Sequence, residues 1–163
     1  MYKRFYAVKK PPKTPTYQYR PRQHNFLKYW RVVKYYIKSK YELTEAELEM
    51  ILFLYDETVF TKNTFNEFAR TMSWDKNRFA SMVQQGYVKK WRDRKETQRS
   101  NLWELTIKSK RICNHLYKKL MQEEVISEDP YRNEIFKGKS HMDKVYKKII
   151  KKMNSKTQSH SDE

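Results

Sequence analysis

Between residues 76 and 85 the chain spaces cations and hydrogen-bonding side chains along one side of a short helical pattern. Lys76, Asn77, Arg78, Ser81, Gln84 and Gln85 are interleaved with Phe79, Met82 and Val83, and no acid interrupts them. The three apolar residues share one helical face, so the polar set is turned the other way. Side chains of these types can bond phosphate oxygens and the base edges of a major groove. A second set follows in Val88–Arg92, where Lys89 and Lys90 are phosphate candidates, and in the loop holding Arg94, Lys95, Gln98 and Arg99. That loop joins two alternating stretches, Val88–Arg92 and Leu102–Thr106, so it reads as the tip of a basic β-hairpin able to hold phosphates or enter a minor groove. A third set is Arg20-Pro21-Arg22, the best candidate tip of an N-terminal arm that tracks phosphates or enters a minor groove.

Other chemistries find less support. Glu42, Glu45, Glu47, Glu49, Asp56 and Glu57 form an acidic cluster, but no His or Cys lies nearby to complete a metal site, so the cluster reads as a solvated helix face. His24, His115, His141 and His160 are scattered, and no Ser, Cys or His spacing joins a nucleophile to a base. Cys113 is alone, which excludes an intramolecular disulfide or a zinc cluster. Gly86 and Gly138 are isolated, so no glycine-rich phosphate loop exists. The expectation is a protein that is not an enzyme and uses no metal and no cofactor.

The elements that must position these residues are predicted from caps and periodicity. Phe26, Trp30, Val33 and Ile37 predict a helix over His24–Tyr41. Leu43-Thr44 opens the next, with Thr44 and Glu47 at capping-box spacing and Leu48, Ile51, Leu52 and Tyr55 facing a core. The same spacing in Thr64 and Glu67 predicts a helix start near Thr64, with Phe65, Phe68, Ala69 and Met72 on its inner face. Ser73-Trp74-Asp75 is a turn that offers Ser73 or Asp75 as N-cap for the polar helix, and Gly86 stands where a left-handed residue would end it. Ile107–Glu124 is predicted as a long helix with the stripe Ile112, Leu116 and Leu120, flanked by Cys113, Tyr117 and Met121. Asp129-Pro130 is a break, and Tyr131–Ser140 is a loop or short turn. His141–Met153 carries Met142, Val145, Tyr146, Ile149, Ile150 and Met153 on one face and Lys144, Lys147, Lys148, Lys151 and Lys152 on the other. Helix, turn, helix, then a basic hairpin is the order of a winged helix.

Leu43–Leu120 resembles the winged-helix regulators of the MarR (multiple antibiotic resistance) type. The matching pieces are LTEAELEMILFLY, DKNRF at the start of the recognition helix, GYVKKWRD, and LWELTIKSKRI, with Leu105-Thr106 where that family closes its second wing strand. The stretch from Asp75 to Gly86 is about one helical turn shorter than is usual there, and the wing tip keeps an arginine without the neighbouring aspartate. The resemblance implies a homodimer to which the first helix contributes, and double-stranded DNA as the partner.

Charge agrees with a polyanionic partner. The 163 residues carry 36 Lys and Arg against 19 Asp and Glu, a net charge of +17. Residues 1–23 form a basic arm, expected to be disordered: Pro11, Pro12, Pro15 and Pro21 exclude a helix, and Lys3, Arg4, Lys9, Lys10, Lys13, Arg20 and Arg22 meet no acid. Residues 24–125 are the winged-helix domain, 126–153 a C-terminal loop and amphipathic helix, and 154–163 a polar, disordered tail. No apolar run follows Met1-Tyr2-Lys3-Arg4 and none reaches transmembrane length, so no signal peptide and no membrane association are expected, and the localisation reads as intracellular, cytoplasmic or nucleoid-associated. The fold class is mainly α, a winged helix-turn-helix with a small β-hairpin wing flanked by N- and C-terminal helices. The expected function is sequence-preferring binding of double-stranded DNA by a homodimeric transcription regulator. The alternatives are a non-enzymatic structural or adaptor protein, nucleic-acid-packaging or virion-associated, that uses a winged helix for partner contacts, and an RNA-binding module.

Overall fold

The structure, a computed structural model, describes residues 26–71, 77–92 and 101–159. The described elements are α1 (Phe26–Tyr41), α2 (Glu45–Tyr55), β1 (Phe60–Thr61), α3 (Lys62–Thr71), α4 (Arg78–Gln84), β2 (Val88–Arg92), β3 (Leu102–Leu105), α5 (Ile107–Leu120), α6 (Glu134–Lys137) and α7 (His141–Ser159). The chain is mainly helical around a three-stranded antiparallel sheet of order β1-β3-β2, a winged helix.

α2 is the centre of the fold. Thr44 caps it with a complete capping box, its hydroxyl accepting from the Glu47 backbone N–H while the Glu47 carboxylate accepts from the Thr44 N–H at 2.9 Å. Leu48, Met50, Ile51 and Leu54 are all fully buried, because α5 covers one side and α3 and β3 the other. Leu52 and Tyr55, expected in the core, are only half-buried. The acidic face is not simply solvated. Lys34 and Lys38 of α1 pair with Glu45, and Lys34 also approaches Glu49 at 3.9 Å.

α1 buries Tyr29, Val32, Val33, Tyr36 and Ile37. The inner face is therefore turned from the expected stripe, and Phe26 is left 44% exposed. Tyrosine rings supply apolar area while their hydroxyls need a polar outlet. Here α5 provides the packing, with Tyr36 and Tyr41 each edge-on to His115 at 5.9 Å. The Tyr41 hydroxyl lies 3.2 Å from His115 Nδ1. Burial first, and then the Lys40 and Lys119 charges, push the His115 pKa down to about 4. The folded protein therefore holds a neutral imidazole that the unfolded chain protonates below about pH 6.5. Its contribution to stability is complete above about 6.5 and is lost as pH falls towards 4. The urea midpoint should fall between pH 7 and 5 in the wild type and fall less in His115→Gln. Parallel profiles would remove His115 as the cause.

β1, absent from the sequence expectation, pairs Phe60 with Trp103 and Thr61 with Leu102. α3 begins at Lys62 rather than near Thr64, because Thr61 Oγ1, fixed at the strand end, accepts from the Thr64 N–H at 3.3 Å. α5 stops at Leu120, short of the expected Glu124. Gln122 adopts a left-handed φ of 62°, and its N–H and that of Glu123 close back on the Lys119 and Lys118 carbonyls. Lys118 and Lys119 then hold Glu124 at 3.0 and 2.9 Å, and these pairs draw its pKa down to about 2.

The C-terminal stretch belongs to the same core: Ile126, Ile135, Ile150 and Met153 are buried with the residues of α1, α2 and α5. α7 runs to Ser159, into the region expected as a disordered tail. Asn154, buried on α7, explains the extension. Its amide donates to Ile126 O at 2.9 Å and accepts from Ile126 N at 2.9 Å, so it pairs with a loop backbone as a neighbouring strand would. Within the expected loop, α6 is a single turn capped by Asn133.

Candidate nucleic-acid interface

α4 is mounted on an aromatic base. Phe79 meets Phe65 of α3 at 5.0 Å and Trp103 of β3 at 4.8 Å, both edge-on, and Met82 is buried beside it. Gly86, with φ 74°, ends the helix. The Tyr87 N–H bonds the Met82 carbonyl at 2.9 Å and the Gly86 N–H bonds the Val83 carbonyl at 3.1 Å, the paired closure that requires a left-handed residue. The start of α5 then locks this turn. The Thr106 hydroxyl donates to Gly86 O at 2.8 Å, the Thr106 N–H to Tyr87 O at 3.0 Å, and the Ser109 hydroxyl to the same Tyr87 carbonyl at 2.7 Å. Lys108 adds a bond to Gln85 O at 3.4 Å and lies over the Tyr87 ring at 4.2 Å.

α4 is seven residues long, with Asn77 at its N-cap position, and the expected caps Ser73 and Asp75 lie outside the described residues. Asn77, Arg78 and Gln84 are exposed, while Ser81 is half-buried and accepts from the Gln85 amide at 3.3 Å. Arg78 is tied electrically to the centre of the fold. Glu47 is buried, which by itself raises its pKa. Bonds from the Thr44 N–H and hydroxyl and from Gln85, together with the Arg78 charge, outweigh burial and hold the carboxyl below its ordinary range. α4 is thus coupled to α2 through Arg78 and Gln85, a link that sequence spacing does not reveal.

In the wing, β2 pairs Val88 with Leu105, Lys89 with Glu104 and Lys90 with Trp103, and a bulge at Trp91 puts Arg92 opposite Leu102. Lys89 and Lys90 are exposed. Lys89 is bound to Glu104 at 3.0 Å, and Lys110 reaches the same carboxylate at 3.4 Å; the bond from Lys89 leads the lowering of the Glu104 pKa. Lys62, which the spacing did not single out, lies over the Phe79 ring at 5.6 Å and so beside α4. Lys76, Arg94, Lys95, Arg99, Arg20 and Arg22 lie outside the described residues.

No family model matches the chain. No curated protein matches it. A solved structure described as disulfide-formed AbfR is similar over 83% of this chain and 85% of its own, at 15% identity and a TM-score of 0.39. The winged helix, the part of the MarR resemblance that the fold carries, rests on the order β1-α3-α4-β2-β3 and on the sheet.

Proposed function

We propose that this protein binds double-stranded DNA with sequence preference through its winged helix, as a homodimeric transcription regulator. The observation that carries the reading is the outward face of α4. It presents Asn77, Arg78 and Gln84 without an acid, on a helix fixed at its C-terminal end by Gly86, Thr106 and Ser109. Arg78, Asn77 and Gln84 contact base edges or adjacent phosphates, Lys90 holds the backbone, and Ser81 sets the Gln85 amide. Among the described residues no helix is long and apolar enough to cross a membrane. The dimer draws on Phe26 and Leu27 of α1 and Met142 and Val145 of α7, exposed apolar side chains on two helices that pack together.

One observation favours an adaptor instead: α4 has only two turns, about 10 Å of length, so its reach into a groove is small. A mobility shift on a random duplex pool separates the two readings, since a regulator enriches a sequence and an adaptor does not. Arg78→Ala should cost about 1–3 kcal/mol of binding and relax preference at one base pair. Because Arg78 also faces Glu47, the melting temperature is measured alongside. Unchanged affinity and unchanged preference would sink the assignment of Arg78.

A further inference from the structure

We infer that the outer face of α7 is a second phosphate-binding surface, which takes the backbone of double-stranded nucleic acid independently of the recognition helix. Lys144, Lys148, Lys151 and Lys152 are exposed on α7 at helical spacing and, among the described residues, none forms an ion pair. Six lysines elsewhere in the fold are, by contrast, paired with acids. Lys34 and Lys38 are held by Glu45, Lys89 and Lys110 by Glu104, and Lys118 and Lys119 by Glu124.

The described acids at this end of the molecule have other partners. Asp143 accepts from the Ser140 N–H at 3.0 Å and from its hydroxyl, Glu128 accepts from the Asn154 amide at 2.8 Å, and Glu134 accepts from the Ser39 hydroxyl at 3.2 Å. Among the described residues, four like charges thus lie on one face without a counter-charge, an arrangement that a polyanion stabilises. From Lys144 to Lys152 the face spans about 12 Å, the axial length of about three or four phosphates of one strand.

Packing decides between a duplex and a lipid surface. A basic amphipathic helix settles on a membrane by burying its apolar face there. On α7 the C-terminal part of that face is already occupied, with Ile150 and Met153 in the protein core and Asn154 bonded to Ile126, and only Met142 and Val145 at its N-terminal end stay exposed. Around Lys148, Lys151 and Lys152 the helix offers its cationic side, which suits a phosphate backbone. α7 packs on α1 and α6, while the wing strands pack on α2, α4 and α5.

The test uses the full chain with all four lysines replaced by glutamine, a residue of similar helix propensity. Binding to a random-sequence 30-base-pair duplex is followed by fluorescence anisotropy across a salt series. The slope of log K against log salt should shrink by about three to four, and the four-arginine variant should keep the wild-type slope. Two double variants, Lys144→Gln/Lys148→Gln and Lys151→Gln/Lys152→Gln, should each lose about half of that and serve if the quadruple variant loses helicity. An unchanged slope in helical variants overturns the inference. So does loss of binding to phosphatidylserine vesicles with the duplex slope intact, which assigns the stripe to lipid. Failure of the recognition-helix reading is seen separately, as absence of sequence preference in the wild type, and leaves the α7 slope change standing.

Discussion

Ile150→Lys is expected to unfold the protein, or at least to release α7 from it, before it affects any dimer. Ile150 is 0% exposed and packs in one core with Met153, Ile126 and the residues of α1. Removing it from that site forfeits roughly 1.5–3 kcal/mol of apolar burial. Placing an unpaired ammonium there adds several kcal/mol more. The total, on the order of 4–6 kcal/mol, is comparable to the whole stability of a small domain. A large drop in the urea midpoint, with loss of helical circular dichroism, is the expected result. The apolar stripe of α7 alone would suggest a dimer seam at Ile149 and Ile150, but the fold turns Ile150 inward and leaves Ile149 half-buried. The dimer is therefore tested at exposed Val145 and Leu27. Val145→Lys with Leu27→Lys should leave the midpoint near wild type and lower the mass seen by light scattering. Ile150→Lys that melts like the wild type yet halves that mass would show α7 to be an intersubunit element after all.

Deleting residues 1–23 is expected to have the largest effect on DNA binding. The segment holds seven cations, Lys3, Arg4, Lys9, Lys10, Lys13, Arg20 and Arg22, and no acid. If every one neutralises a phosphate, the salt slope falls by about six on deletion. That exceeds what the α7 stripe or Arg78 can supply. Pro11, Pro12, Pro15 and Pro21 break the arm, so the truncated protein is expected to keep the wild-type melting temperature. A slope unchanged by the deletion would give the arm another role. A lowered melting temperature would make the arm part of the core, and the boundary at residue 23 would be misplaced.

Signals that act within a few residues were legible without a fold. The Thr44–Glu47 box, the left-handed Gly86 and the strand Val88–Arg92 all arise from hydrogen bonds and periodicity inside one short stretch. For the same reason the order of helix, helix and hairpin was readable, and with it the winged helix and the acid-free face of α4. Tertiary structure decided whatever needed a partner distant in sequence. β1 is two residues long and exists because Trp103 and Leu102 pair with it; by creating a strand end there it moved the start of α3 from Thr64 to Lys62. The inner face of α1 shifted to the side where α5 offers His115 to its tyrosines. Asn154 reads as a tail residue until the Ile126 backbone, 28 positions earlier, is brought against it. Arg78 reads as a free cation until folding sets buried Glu47 within its field. Local rules assign a residue its face and its cap, but only the packed chain assigns a charge its counter-charge, and that pairing decides which of the 36 cations remain open to a ligand.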